Sequence, residues 1–252
     1  MIAHVRSQKY FATGLKISHT ALGLGSSVVM ARMLGPDQFG IYSLTLSLIT
    51  LCAFPLYNGL PLLMVREAAR ASSSDDVAKV VSLRRWAMSR TVYMSLAGIV
   101  VAVMIWLVYR LGNPEIGALT IAIGAMIIPV FGFSKAFGAL LRGIGLPLLG
   151  LAGESLVQPL FVFTLAASAV FFSNQFHTAE LMLSLYLVSA CAALAFSLFC
   201  LREQLPRCAA QSPTVERRVW DSAILSLSLV SGIQYLNSQF GLLIVGYMGT
   251  SE

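Results

Sequence analysis

Along most of the chain, apolar residues follow one another without alternation, and the charged residues are gathered into short stretches between these runs. A helix needs about 20 mostly apolar residues to cross a bilayer. Seven runs meet that length: Phe11–Met33, Phe39–Met64, Thr91–Tyr109, Ile116–Leu141, Leu146–Ser173, Leu181–Leu201 and Ala223–Met248. The first is interrupted by Lys16, His19 and Arg32, the fourth by Lys135 and the fifth by Glu154. The other four carry no charge. Continuous runs predict helices; a membrane barrel needs shorter segments of alternating character. The expected fold class is therefore an all-α integral membrane protein of about seven transmembrane helices.

Composition agrees. The 252 residues are 57% hydrophobic and 11% charged, whereas a soluble domain has about 25% charged residues. Phe11–Met33 does not read as a cleaved signal peptide, because Lys16 interrupts it and no small-x-small site follows. Cys52, Cys191, Cys200 and Cys208 have no metal-ligand spacing and read as small apolar fillers. No metal and no cofactor are expected.

The net charge of +6 is carried by short loops, which argues against nucleic acid as a partner. Fifteen of the 17 Lys and Arg residues fall on the N-terminal side of the bilayer, leaving Arg32 and Arg110 on the other. Basic residues are retained in the cytoplasm, so a cytoplasmic N-terminus is expected. Between spans two and three, Ser72–Asp76 offers N-cap oxygens for a short helix lying on anionic lipid. Trp86 beside Arg84 and Arg85 reads as an interfacial anchor.

The helix exit at Met33-Leu34-Gly35-Pro36-Asp37 is echoed at Tyr247-Met248-Gly249-Thr250-Ser251. A shared Gly cap explains part of the likeness. With the basic stretch before Ala223, it suggests two similar halves, as in many transporters. The expected division is a first six-helix bundle over residues 1–210, then a cytoplasmic linker and the first helix of a second bundle over 211–252. On that reading the chain ends early in its second half.

Ionisable residues inside a membrane are functional candidates, because their burial is costly. Lys135 and Glu154 are equidistant from the turn between Ile144 and Gly145. Antiparallel helices place them at one depth, about 10 Å inside, so a buried ion pair is expected, either structural or functional. Lys16 and His19, three residues apart, share a helix face, and Lys16 is then the unpaired cation unless it snorkels to headgroups. Arg32, Arg66 and Arg142 lie at helix ends, where headgroup anchoring is the alternative. Pro55, Pro61, Pro129 and Pro159 predict kinks. Gln158, Gln234, Asn237 and Gln239 are available for polar contacts, to a ligand or between helices.

The stretch Met30–Tyr42 (MARMLGPDQFGIY), Asn58-Gly59-Leu60, Val65-Arg66-Glu67-Ala68-Ala69-Arg70 and Leu141-Arg142-Gly143-Ile144-Gly145 resemble, in order and spacing, the polysaccharide biosynthesis proteins, which include the O-antigen flippases of the Wzx type. The resemblance implies 12 to 14 helices in two bundles around a central cavity. It implies an exporter in the bacterial inner membrane, moving an undecaprenyl-pyrophosphate-linked repeat unit of O-antigen lipopolysaccharide or exopolysaccharide to the periplasmic leaflet by alternating access. Polysaccharide polymerase and chain-length components become candidate partners. The cavity cations would be Lys16, His19, Arg32, Arg66 and Arg142, with Gln158, Gln234 and Asn237 as polar contacts. A cation-coupled antiporter of related fold is a rival, though a single acid facing a lysine provides poorly for it. A non-transporting scaffold is another. An enzyme is not expected, since no Asp-x-Asp, His-Glu-x-x-His or nucleophile motif is present.

Overall fold

The computed structural model describes residues 2–110, 117–172, 178–204, 219–224 and 226–230. All its elements are helical: α1 (Ile2–Cys52), a π-helical turn (Pro55–Gly59), α2 (Leu60–Ser73), α3 (Val77–Arg110), α4 (Ala118–Gly143), α5 (Pro147–Ala152), a second π turn (Gly153–Val157), α6 (Gln158–Phe172) and α7 (Ala179–Gln204). A short apolar helix, α8 (Val219–Val230), follows. Four stretches are each long and apolar enough to cross a membrane: Val77–Leu107, Ala118–Gly143, Pro147–Ala169 and Ala179–Gln204. A further apolar stretch, Thr13–Cys52 with Pro55–Ser73, is broken rather than straight.

Gly35 is not helical, with φ 72° and ψ 174°, a conformation that glycine adopts without steric cost. Pro36 follows, and its fixed φ suits the start of a new helix. Contacts run in opposite directions on the two sides of this break. Before it, His19 acts electrostatically on Glu154 and Gly25 lies against Phe163, so the chain runs parallel to α5 and α6. After it, Gln38 accepts a hydrogen bond from the Ala179 amide at the start of α7, Gly124 of α4 abuts Ile49, and Gly132 abuts Leu56. The chain there runs parallel to α4. Residues 13–73 thus fold back at Gly35, as the sequence pattern divides them. The expected seventh span lies outside the described residues beyond Val230.

The turn between α4 and α5 shows how local chemistry sets register. Gly145 has φ 92°, and Leu146 N bonds to Leu141 O at 3.0 Å. This is the glycine-closed Schellman arrangement, and Pro147 starts the next helix. The two helices meet through glycine: a Cβ on Gly150 would sit 2.4 Å from the Gly138 carbonyl oxygen. Only backbone-to-backbone contact permits that approach.

Two expectations fail at the end of the molecule where α2 meets α3. The stretch 65–90 holds no separate surface helix. α2 runs on to Ser73, Asp76 caps α3 by accepting from the Lys79 amide at 2.9 Å, and α3 continues unbroken. The N-cap chemistry was legible, but extending two packed helices buries more than laying a third on lipid. Trp86 is not a lipid anchor. It is 3% exposed, its ring centroid lies 5.2 Å from that of Trp220, and its Nε1 donates to Asp221 at 3.2 Å. Arg90 reaches the same carboxylate at 2.5 Å. α8 is clasped to α3 there, and further along it Ser228 closes on Gly59.

Candidate functional site

The site lies inside the bundle, toward the end that carries Arg66, Arg84, Arg85 and Arg202, called the basic end below. Lys135 of α4 places Nζ 2.6 Å from Glu154 Oε1. Their side chains are 19% and 32% exposed, so the pair is sheltered but not sealed. The second π turn carries Glu154. A π turn holds one residue more than an α turn, re-aiming side chains, and such turns recur at functional sites. The first π turn touches the same stretch of α4: Tyr57 packs edge-on against Phe131 at 4.9 Å. Lys135 Nζ sits 5.1 Å from that Phe131 ring, within cation–π range. Two distortions from separate helices therefore bracket one turn of α4.

Other charges converge on Glu154. Arg142 and His19 both lie within its electrostatic reach. Arg142 is half-buried; Lys16 and His19 are exposed. Four residues beyond Glu154, Gln158 is 5% exposed and hydrogen bonds with Tyr186 of α7. Tyr186 in turn neighbours Tyr42. Two cations, Lys135 and Arg142, and the His19 imidazole thus face one carboxylate, beside a buried amide and two phenols. Glu154 neutralises one of them, leaving a positive, hydrogen-bonding environment suited to an anionic, hydroxyl-rich ligand.

The exposed surface of α1 beside this cluster is partly polar. At about 100° per residue, Thr13, Lys16, Thr20 and Ser27 fall on one strip, with His19 at its edge toward Glu154. All five are exposed. Ile17, Leu24 and Val28 are also exposed and fall on a neighbouring apolar strip. Arg32 projects on that apolar side and is not gathered with Lys16. By contrast, the outward face of α3 past Arg90 is apolar: Val92, Tyr93, Leu96, Val100, Val101, Met104 and Ile105 are exposed. A lipid-facing surface must be apolar; the α1 strip is not.

The remaining candidates are placed elsewhere. Arg66 bonds to its neighbour Glu67 at the basic end, apart from the cluster. Gln234 and Asn237 lie outside the described residues. Sequence reading passed over Tyr42 and Tyr186, although a phenol within an apolar span needs a polar partner and so flags a site. It also ended the second apolar run at Met64 and gave Glu67, just beyond it, no buried role; Glu67 is 6% exposed. Among the described residues, no three His, Cys, Asp or Glu side chains could hold a metal ion.

These features define a multi-pass, all-helical membrane protein with a cationic, polar cluster within its bundle. Residues 9–249 match the family described as "Polysaccharide biosynthesis protein", and the chain belongs to that family. No curated protein and no solved structure matches it.

Proposed function

We propose that the chain serves as a flippase for a lipid-linked oligosaccharide, with undecaprenyl pyrophosphate as the carrier and an O-antigen or exopolysaccharide repeat unit as the cargo. The observation that carries this reading is the polar strip of α1, leading with Lys16 and His19 to the Lys135–Glu154–Arg142 cluster. A pyrophosphate needs cations and a sugar needs hydrogen-bonding groups; the strip and cluster offer both on a surface that lipid does not favour. The basic end faces the cytoplasm of a bacterial inner membrane, and cargo moves to the other leaflet by alternating access. The work is transport rather than catalysis. The helix from Val219 onward begins a second unit that completes the cavity.

The test uses single cysteines at Thr20 and Ser27 on the strip and at Leu96 and Val100 on α3, in a background without the native cysteines. A water-soluble thiol reagent should modify the first two in membranes and spare the second two. Equal protection of all four would show that the α1 strip is not wet. In a strain lacking the gene, Lys16→Ala should abolish surface polysaccharide at near-normal protein abundance. Lys16→Arg should retain part, since charge survives while the compact ammonium is lost. Normal polysaccharide with Lys16→Ala would reduce Lys16 to a headgroup anchor. For sidedness, a cysteine at Ser73 should resist an impermeant reagent in intact cells while one at Thr178 reacts. The reverse pattern would invert the assignment.

A further inference from the structure

At the basic end of α2 an acid is buried where the apolar run Phe39–Met64 has just ended. Glu67 Oε1 accepts from Arg66 Nε at 3.0 Å and from Arg70 Nη1 at 3.1 Å. The carboxylate side chain is 7% exposed, while Arg66 and Arg70 are 45% and 65% exposed. The backbone that carries it is held firmly. Ala68 and Ala71 are fully buried, and Gly143 of α4 lies against Ala68 and the Val65 carbonyl. Glu67 is thus a fixed post, and each arginine is tied to it by one nitrogen. A guanidinium carries five N–H donors in a planar fork, so each keeps donors turned outward. They lie just beyond the apolar run that ends at Met64.

We propose that Arg66 and Arg70, held by Glu67, form a clamp for the phosphate of a membrane lipid. Two arginines four residues apart repel each other when unaided, and long side chains lose entropy when they are ordered. The shared carboxylate offsets both costs in advance and sets the forks side by side. Glu67 is a positioning residue and does not itself touch the ligand. The clamp does not require the chain to be a flippase. The same phosphoryl oxygens are presented by an anionic phospholipid and by a lipid-linked pyrophosphate.

The decisive feature is a sign. Glu67→Gln raises the local net charge by one, so unorganised attraction would tighten anion binding. A clamp that depends on positioning is weakened instead. Native mass spectrometry of the detergent-solubilised full chain can measure binding of phosphatidylglycerol and of undecaprenyl pyrophosphate, with diacylglycerol as the phosphate-free control. Arg66→Ala with Arg70→Ala should lower affinity for phosphate-bearing lipid by about tenfold, the worth of one charge-assisted hydrogen bond, without affecting diacylglycerol. Glu67→Gln should lose several-fold at an unchanged melting temperature. If that variant does not fold, Glu67→Asp, which keeps the charge but withdraws it by one methylene, should show the loss. Equal losses for both phosphate lipids identify the headgroup as the ligand. A loss confined to undecaprenyl pyrophosphate identifies the cargo. Retained or tighter binding in the folded Glu67 variant, or in the double arginine variant, overturns the clamp.

Discussion

Two ion pairs join one helix to another, the first across a single tight turn and the second across more than half the chain, and the first is the more sheltered. Lys135–Glu154 lies inside the bundle at 2.6 Å, with side chains 19% and 32% exposed. Arg90–Asp221 lies at the basic end at 2.5 Å, with both side chains 37% exposed. In the first, the charges are the reason the helices need one another at that depth, since neither could face hydrocarbon alone. In the second, Trp86 and Trp220 supply the burial, and Asp221 accepts from both Trp86 and Arg90. Similar distances therefore carry different meanings. A sheltered pair penalises the loss of one partner, whereas a wetter pair adds little beyond the packing beside it.

The largest expected effect follows from that asymmetry. Lys135→Ala should destabilise the protein by about 3 kcal/mol, the low end for a broken buried pair, because Arg142 and His19 still act on Glu154. Membrane abundance by immunoblot should fall, and adding Glu154→Ala should recover it. A double variant no more abundant than the single one would show that the two charges are not coupled. Next comes Trp220→Ala, with a loss of about 2 kcal/mol from exposing a large apolar surface. Asp221→Ala should cost about 1 kcal/mol, read from melting in detergent. If Asp221→Ala proves worse than Trp220→Ala, charge rather than indole packing holds the clasp. The smallest effect is that of salt. A double-mutant cycle on Arg90 and Asp221 should lose most of its coupling near 1 M salt, where screening acts within about 3 Å. The same cycle on Lys135 and Glu154 should change little. Equal salt sensitivity would mean that both pairs are equally wet.

The Lys135–Glu154 contact was legible because one tight turn governs it. Gly145 and Pro147 can be read as a stop and a start, and counting outward equally along two helices reaches both residues. The clasp follows no such rule. Trp86 and Asp221 are 135 residues apart, and pairing them depends on how α2, α3 and α8 pack. Glu67 was misread for a related reason. Hydropathy ends the span at Met64, but α2 continues packed against Gly143, so an acid beyond the apolar run is still buried.

Membrane residence and the all-helical class follow from the chain alone, because a bilayer leaves backbone groups to be satisfied internally and long unbroken apolar runs do so as helices. The reversal at Gly35-Pro36 and the α4–α5 register also follow, since each depends on a few adjacent residues with restricted φ and ψ. Which polar side chains meet does not. Tyr42, Gln158 and Tyr186 come from three helices, whereas the two π turns that bracket Phe131 and Lys135 have a local cause in part: each ends two residues before a proline, Pro61 or Pro159. A helix's rotation about its axis is set by its neighbours. That rotation decides which face of α1 turns toward Glu154, whereas the separation of Lys16 from Arg32 already follows from their spacing along one helix at about 100° per residue.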